Sequence, residues 1–188
     1  AEARIWREKV NIRLENEELA IKNLKWLMKY EDLKEQEYAD ARAMMAQAYI
    51  NLGVIDTAVQ QLKIASYYTK KNPEKGRYYY IIGQLFNQLG HKDSANYAFD
   101  KVIDLNRKSP RVYMVNAEIE KIKNTEVTSE NQELMLEYLT KMEENRENRP
   151  FLHLIYRQVA EYHLNQENDS LALLYFNKSL RATQNEPK

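Results

Sequence analysis

The chain has 188 residues with 28 basic and 28 acidic side chains, so its formal net charge is zero. A protein with this balance has no positive field that would draw it to nucleic acid or to anionic lipid. It has only four glycines and four prolines, which predicts one all-helical domain. It has no cysteine, which excludes disulfides and thiolate metal sites. The longest apolar runs are about five residues, too short to cross a bilayer.

A repeated motif divides the chain into about five units. Residues 52–58 read Leu-Gly-Val-Ile-Asp-Thr-Ala, and residues 89–95 read Leu-Gly-His-Lys-Asp-Ser-Ala, 37 positions later. A repeat of this length predicts two helices per unit, with each unit stacking on the next to cover its apolar face. The predicted units of this single array are residues 1–37, 38–74, 75–110, 111–150 and 151–188.

The turn between the two helices of a unit has its own pattern. The first unit has Glu15 where the next two units have glycine. In the third unit, we expect Gly90 to end the first helix in the left-handed conformation. We expect Asp93 to cap the second helix by accepting hydrogen bonds from its free backbone amides, and Asp56 and Asp169 to do the same in their units.

The third unit also alternates small and bulky residues for a packing reason. Gly83 and Ala95 let its two helices approach closely, and Phe86 and Phe99 fill the space beside them. This pattern predicts a tightly packed helix pair.

The fourth unit departs from the repeat. Residues 123–128 insert a longer polar connection, which we expect to be exposed. Ser129 and Gln132 are spaced as a capping box for the helix that follows. The fifth unit regains the repeat and ends at Pro187.

Glycine after the first helix, alanine opening the second, aromatic residues between them and proline at the end of the unit resemble the tetratricopeptide (TPR) family. The resemblance is strong over residues 39–110 and moderate over residues 151–187. It implies an all-α fold, an α-solenoid of antiparallel helix pairs wound into a superhelix. It also implies a non-catalytic protein that holds other proteins or extended peptides in a concave groove.

A narrower likeness lies in residues 76–85, 100–110 and 169–180. These segments look like PorW/SprE-type repeat lipoproteins of Bacteroidota. That likeness implies an outer-membrane lipoprotein facing the periplasm that supports type IX secretion and gliding motility, with secretion-system components as partners. Such proteins carry a lipidated cysteine, which we expect upstream of Ala1, in a longer protein of which this chain is a piece. The alternatives are a generic cytoplasmic peptide-binding adaptor and the repeat domain of a larger enzyme or regulator.

The residues that could carry chemistry do not form a recognisable catalytic or metal site. His91 lies in a turn, and His153 and His163 are ten residues apart, so they do not share a helix face as zinc ligands would. No phosphate-binding glycine motif is present. We therefore expect no enzyme activity, no cofactor and no metal.

Two surfaces are predicted to bind a partner. In TPR arrays the first helix of each unit lines the groove, and helical spacing identifies the side chains that point away from the packed stripe. These are Gln47, Asn51, Arg77, Tyr80, Gln84, Asn87 and Gln88. Their amide groups can both donate to and accept from the backbone of a peptide. The second surface is a basic edge that could dock an acidic partner, formed by Lys70, Lys71, Lys75, Arg77, Arg107, Lys108 and Arg111.

Overall fold

The structure is a computed structural model that describes residues 1–184. Within this range it has ten α-helices, two short 3₁₀-helices and no strand. The α-helices are α1 (Glu2–Arg13), α2 (Glu17–Tyr30), α3 (Glu35–Asn51), α4 (Ile55–Tyr68), α5 (Asn72–Gln88), α6 (Lys92–Asp104), α7 (Arg111–Asn124), α8 (Gln132–Glu144), α9 (Leu152–Asn165) and α10 (Asp169–Gln184). The 3₁₀-helices are Asn106–Lys108 and Arg146–Phe151.

The helices pack in consecutive pairs, α3 with α4, α5 with α6, and α9 with α10. The predicted fold class, all-α with the helix pairs of an α-solenoid, is confirmed. The chain divides into two compact units, each larger than a predicted repeat. The first compact unit is residues 1–117, and the second compact unit begins at Glu118. The division into five repeats stays a prediction, and its last landmark, Pro187, lies outside the described residues. None of the helices within residues 1–184 has the length and apolar character that a bilayer crossing requires.

The turns that join the paired helices share one hydrogen-bond pattern. After α5, His91 N–H donates to Phe86 O at 2.9 Å and Gly90 N–H donates to Asn87 O at 3.0 Å, the two bonds of a Schellman motif. The motif requires a left-handed residue, and Gly90 has a φ of 76°. The prediction for Gly90 is therefore confirmed.

The same motif ends α1, α3 and α9. Its left-handed residue is Gly53 after α3, but it is Glu15 after α1 and Glu167 after α9, with φ values of 61° and 57°. The long bond has the same length at each of these turns, 2.9 Å, from Asn16, Val54 and Asn168. The sequence change at Glu15 therefore leaves the turn intact.

The prediction that aspartates cap the second helices was wrong. Asp56 and Asp93 lie inside the first turns of α4 and α6, where the helix dipole favours a negative charge. Because the Schellman turn leads directly into the next helix, the N-cap falls on the residue after glycine, Val54 or His91. Asp169 is the first residue of α10, and Asn168 accepts from Leu171 N–H at 3.2 Å instead.

The connection between α7 and α8 lies later in the sequence than predicted, because α7 extends to Asn124 and α8 begins at Gln132. Within this connection, residues 125–130 are exposed as expected except for Val127, which is half-buried. The predicted capping box of Ser129 and Gln132 was wrong, since the N-cap of α8 is Asn131 and makes no side-chain cap. The Asn131 side chain instead accepts from Thr128 N–H at 2.8 Å and donates to Glu126 O at 2.9 Å, so it closes the loop.

The core of the first compact unit combines small and larger apolar side chains. Ala58, Leu62 and Ala65 of α4 are buried with Ile82 of α5. At Gly83, an added Cβ would overlap the ring of Phe99, which is fully buried. The predicted close approach of α5 and α6 at this position is confirmed.

The left-handed turns predict that two substitutions at equivalent turn positions, Gly90 and Glu167, change the free energy of unfolding in opposite directions. Gly90→Ala should lower the free energy of unfolding by about 1 kcal/mol, because an L-residue is strained at positive φ. No atom lies within 4 Å of the added Cβ, so a clash cannot cause the loss. Glu167→Gly should raise stability by about 0.5–1 kcal/mol for the same reason. Urea unfolding of both variants measures the effect, and a loss of stability in Glu167→Gly would contradict it.

Candidate functional site

Helices α1, α3 and α5 of the first compact unit, each the first helix of its pair, border a depression of about 250 Å³. We call it the α1/α3/α5 depression. Its lining residues are Glu2, Ile5, Trp6 and Lys9 of α1, Asp40, Ala43 and Met44 of α3, Lys71 beside the start of α5, and Glu74, Arg77 and Tyr78 of α5. The resemblance to TPR proteins predicted that the first helix of each repeat lines a groove. The depression lies among three such helices, α1, α3 and α5.

The lower part of the depression is apolar and its rim is not. Ile5, Ala43 and Tyr78 are buried. At the rim, Trp6 is 57% exposed, and the Lys9 ammonium lies 4.5 Å from its ring centroid. An exposed tryptophan beside a buried apolar floor can cover the side chain of a bound ligand.

One glutamine joins the carboxylates of neighbouring helices. Gln36 Nε2 donates to Asp40 Oδ1 at 2.9 Å and to Glu74 Oε2 at 2.7 Å. Glu74 also accepts from Thr69 Oγ1 at 2.8 Å and pairs with Lys71 Nζ at 3.0 Å. This network fixes the start of α5 against α3.

The network shifts its two carboxyl groups in opposite directions. Burial raises the pKa of Asp40, and the nearby charge of Glu74 adds to the rise. Burial also acts to raise the pKa of Glu74, but hydrogen bonds from Lys71, Thr69 and Gln36 together outweigh it, so that pKa is lowered. Burial raises the pKa of Tyr78, whose hydroxyl stays neutral.

Five of the predicted groove residues continue the face that the depression begins. On α3, Gln47 and Asn51 follow Asp40 and Met44 at spacings of three and four, which keeps them on one face. Gln47 Nε2 donates to Asn51 Oδ1 at 2.9 Å, and Asn51 Nδ2 donates to Glu17 Oε1 at 2.9 Å.

On α5, Arg77 lines the depression itself. Gln84 and Gln88 lie seven and eleven residues further on and are exposed. The amide side chains of both helices therefore extend the same surface toward the helix ends.

The other two predicted groove residues lie nearer the helix packing. Tyr80 is half-buried, with its ring centroid 5.9 Å from that of Phe99 and 5.8 Å from that of Tyr113. Its hydroxyl accepts from Gln84 Nε2 at 3.3 Å. Asn87 is half-buried as well. Tyr80 thus contributes to the contact between α5 and its neighbours as well as to the surface.

The two segments of the predicted basic edge come together, but part of their charge is neutralised. An added Cβ at Gly76 would overlap Ser109 Oγ, so the start of α5 lies against the turn that follows α6. Lys70 Nζ pairs with Glu35 Oε2 at 2.6 Å, and Lys71 is held by Glu74. Arg77 lines the α1/α3/α5 depression, and the other members of the edge, Lys75, Arg107, Lys108 and Arg111, stay a predicted docking surface.

Sequence reasoning missed the part that α1 and the carboxylates play. Trp6 and Lys9 were not assigned to the groove because the first repeat, residues 1–37, lacks the glycine that marks the turn. Asp40 could have been found from the sequence, since it precedes Gln47 by seven residues and so shares its face.

Among the described residues, no group of three or more histidine or carboxylate side chains converges as the ligands of a metal would. His163 is buried and stacks on Tyr175, with ring centroids 5.7 Å apart. Burial lowers its pKa. In the structure this histidine packs against an aromatic side chain of α10.

The chain matches no protein-family model, and no curated protein sequence matches it. Solved structures do resemble it. A crystal structure of MamA protein has a TM-score of 0.69 at 17% identity, covering 100% of this chain and 96% of that one. MamA from Desulfovibrio magneticus RS-1 has a TM-score of 0.66 at 14% identity, with coverages of 100% and 97%. YrrB, described as a TPR protein with an unusual peptide-binding site, has a TM-score of 0.63 at 14% identity, with coverages of 97% and 86%. These likenesses show that the chain has the TPR fold.

The opposite pKa shifts predict opposite effects of two substitutions on stability. The raised pKa of Asp40 means that its ionised form disfavours the native state, so Asp40→Asn should raise the Tm at about pH 7. The gain should disappear as the pH falls through the native pKa, because the wild-type carboxyl then binds a proton.

Glu74→Gln should do the reverse. The lowered pKa means that the ionised form stabilises the native state, and this stability is lost as the pH falls through the native pKa. The substitution should lower the Tm at about pH 7 and matter less in acid. Thermal unfolding followed by circular dichroism at several pH values checks both, and equal shifts of the same sign would contradict the assignment.

Proposed function

We propose that this chain is a non-catalytic protein-interaction scaffold. Its first compact unit, residues 1–117, holds an extended peptide along the face shared by α1, α3 and α5. The observation that carries the proposal is the α1/α3/α5 depression, with its apolar floor, its exposed tryptophan and rows of amides continuing from it. The likeness of the fold to YrrB, a TPR protein with a peptide-binding site, supports it.

The dimensions of the face suit a short extended segment. From Arg77 to Gln88 the helix rises by about 16 Å, at about 1.5 Å per residue. An extended peptide covers this length with about five residues. One apolar side chain would enter the depression beside Trp6, and the amides of Gln84 and Gln88 would bond to the peptide backbone that follows.

The polar groups of the depression support binding and not catalysis. Asp40 is bonded to Gln36, and Glu74 is bonded to Lys71 and Thr69, so these carboxylates hold protein groups. A general acid or base would need to reach a substrate atom at hydrogen-bond distance. The network thus acts as a fixed wall for the bound peptide.

Peptide selection tests the groove. A displayed library of random peptides is panned against the wild-type chain, and the enriched peptides are then measured by fluorescence anisotropy. Replacing both Trp6 and Arg77 by alanine should weaken binding at least about tenfold, because tryptophan and arginine carry large shares of interface energy. Both side chains are exposed, so the core is left intact.

The matched control replaces Trp26 and Arg146, an equally exposed pair outside the depression. We expect these peptides to bind the control variant as they bind the wild type. Equal losses of peptide affinity in the two variants would refute the groove. So would enriched peptides that bind the variant lacking Trp6 and Arg77 as tightly as they bind the wild type.

We further propose that the scaffold works in the periplasm at the outer membrane, in type IX secretion and gliding motility. The likeness of residues 76–85, 100–110 and 169–180 to PorW/SprE-type lipoproteins supports this role. On this proposal, its partners are components of the secretion system. Attachment to the membrane would come from a lipid on a cysteine upstream of Ala1.

The full-length gene and cell fractionation test the location. We expect the gene to encode a leader that ends in a lipidated cysteine, and the protein to sediment with outer membranes. Replacing that cysteine by serine should release the protein from the membrane fraction, while an outer-membrane barrel protein measured as a control stays there. A gene without a leader would favour the cytoplasmic adaptor, and an appended catalytic motif would favour a domain of a larger enzyme.

A further inference from the structure

A second depression, of about 390 Å³, lies among α2, α3 and α4. We call it the α2/α3/α4 depression. Its polar and aromatic lining consists of Lys25, Lys29, Tyr38, Arg42, Tyr49 and Gln61. On α3, Tyr38, Arg42 and Tyr49 lie two residues out of phase with the residues of the groove, which is about 200° around the helix. The two depressions therefore use opposite faces of α3.

The charges that line this second depression are all positive. Lys25, Lys29 and Arg42 contribute three cations, and the lining has no carboxylate. Within residues 1–184, none of these three side chains makes an ion pair with a carboxylate. Lys25 and Lys29 stand one helical turn apart, where like charges repel. An anion between them would remove this cost.

Arg42 is held in place from two sides. Its Nη1 donates to Gln61 Oε1 at 2.7 Å, and its Nη2 donates to the Tyr38 hydroxyl. The guanidinium carbon lies 4.8 Å from the centroid of the Tyr38 ring. The Arg42 Nε atom is buried and has no hydrogen-bond partner among the described residues. The two bonds from Nη1 and Nη2 use two of the five guanidinium donors. A half-buried guanidinium without a counter-charge is costly, and an anion in the depression would offset that cost.

The next repeat shows that helix packing does not require an arginine here. Its corresponding depression, among α4, α5 and α6, has Tyr79 at the position 37 residues after Arg42. It has Ala98 in place of Gln61, and its lining includes one cation, Lys63, and one carboxylate, Asp93. The same fold thus forms this depression without a cluster of cations, so the three cations distinguish the α2/α3/α4 depression from the next one.

We propose that the α2/α3/α4 depression binds an acidic segment of a partner protein. A glutamate or aspartate side chain of the partner would lie between the two lysines and Arg42, whose planar donors suit a carboxylate. An apolar side chain next to it would rest on Met28 and Tyr49, which line the same depression. The match of charge and of apolar area selects a protein segment over a small free anion.

The test is the affinity of the full chain for a defined probe, a fluorescein-labelled oligoglutamate peptide with one central leucine. We expect binding by fluorescence anisotropy that weakens as salt is added. Lys25→Gln combined with Lys29→Gln should weaken it about tenfold, the loss of two charge pairs of about 0.7 kcal/mol each. Arg42→Tyr introduces the residue type that the next repeat has at this position, and should weaken it by a similar factor.

The control removes the same charge elsewhere. Lys22→Gln combined with Lys63→Gln changes two exposed lysines outside this depression, and should alter the affinity less than about twofold. The two lysines of the depression are exposed, so their variant tests the proposal even where Arg42→Tyr lowers stability. The variant lacking Trp6 and Arg77 should bind the acidic peptide normally, which separates this surface from the proposed groove.

Three outcomes would overturn the proposal. One is an equal loss in the control and in the Lys25 and Lys29 variant, since that would mean only general charge attraction. Another is displacement of the peptide by inorganic phosphate at matched ionic strength, since the site would then bind small oxyanions. The third is no measurable binding of the peptide at low salt.

Discussion

The left-handed turn between paired helices is the constraint on which the rest of the first compact unit depends. In this turn one residue at positive φ lets the chain reverse at once, and the bond from His91 N–H to Phe86 O fixes the angle at which the next helix leaves. Because the reversal is immediate, α5 and α6 lie against each other along their length. Gly83 can then face Phe99 without a Cβ between them. The packing inside a helix pair follows from the geometry of its turn.

Once the pairs are fixed, α3 presents opposite faces to two depressions. On α3, one face meets α1 and α5 and includes Asp40, while the opposite face meets α2 and α4 and includes Arg42. Two positions that are only two residues apart in the sequence are enough to place a carboxylate in one depression and a guanidinium in another. A single helix can in this way serve two surfaces with different chemistry.

The sequence predicted the elements that depend on steric constraints of the backbone. Gly90 was recognisable because few other residues adopt the left-handed conformation, and Gly83 because a small residue must face Phe99. The same reasoning could not show that Glu15 keeps the turn, since the cost of an L-residue there is small enough for the surrounding structure to bear. The aspartate caps were wrong because the exact start of a helix depends on how the preceding turn ends.

The sites were harder to predict than the fold, since they depend on contacts between side chains far apart in the sequence. Helical spacing placed Arg77 and Gln84 on one face of α5, but nothing local to Gln36 shows that its amide joins Asp40 to Glu74, which is 38 residues away. Nor does the sequence show that Arg42 lies against Gln61. Such pairings exist only once the helices have stacked.

The neutral composition of the chain conceals a separation of charge between these faces. The α1/α3/α5 depression is lined by three acidic and three basic side chains, and Lys71 pairs with Glu74, whereas the charged groups of the α2/α3/α4 depression are all cations. A helix with its side chains is about 10 Å across, and the screening length at physiological salt is about 8 Å. The charges on one face of α3 are therefore largely screened from a ligand on the other. Each depression presents its own electrostatic surface, so a net charge of zero does not limit which partners the individual faces can attract.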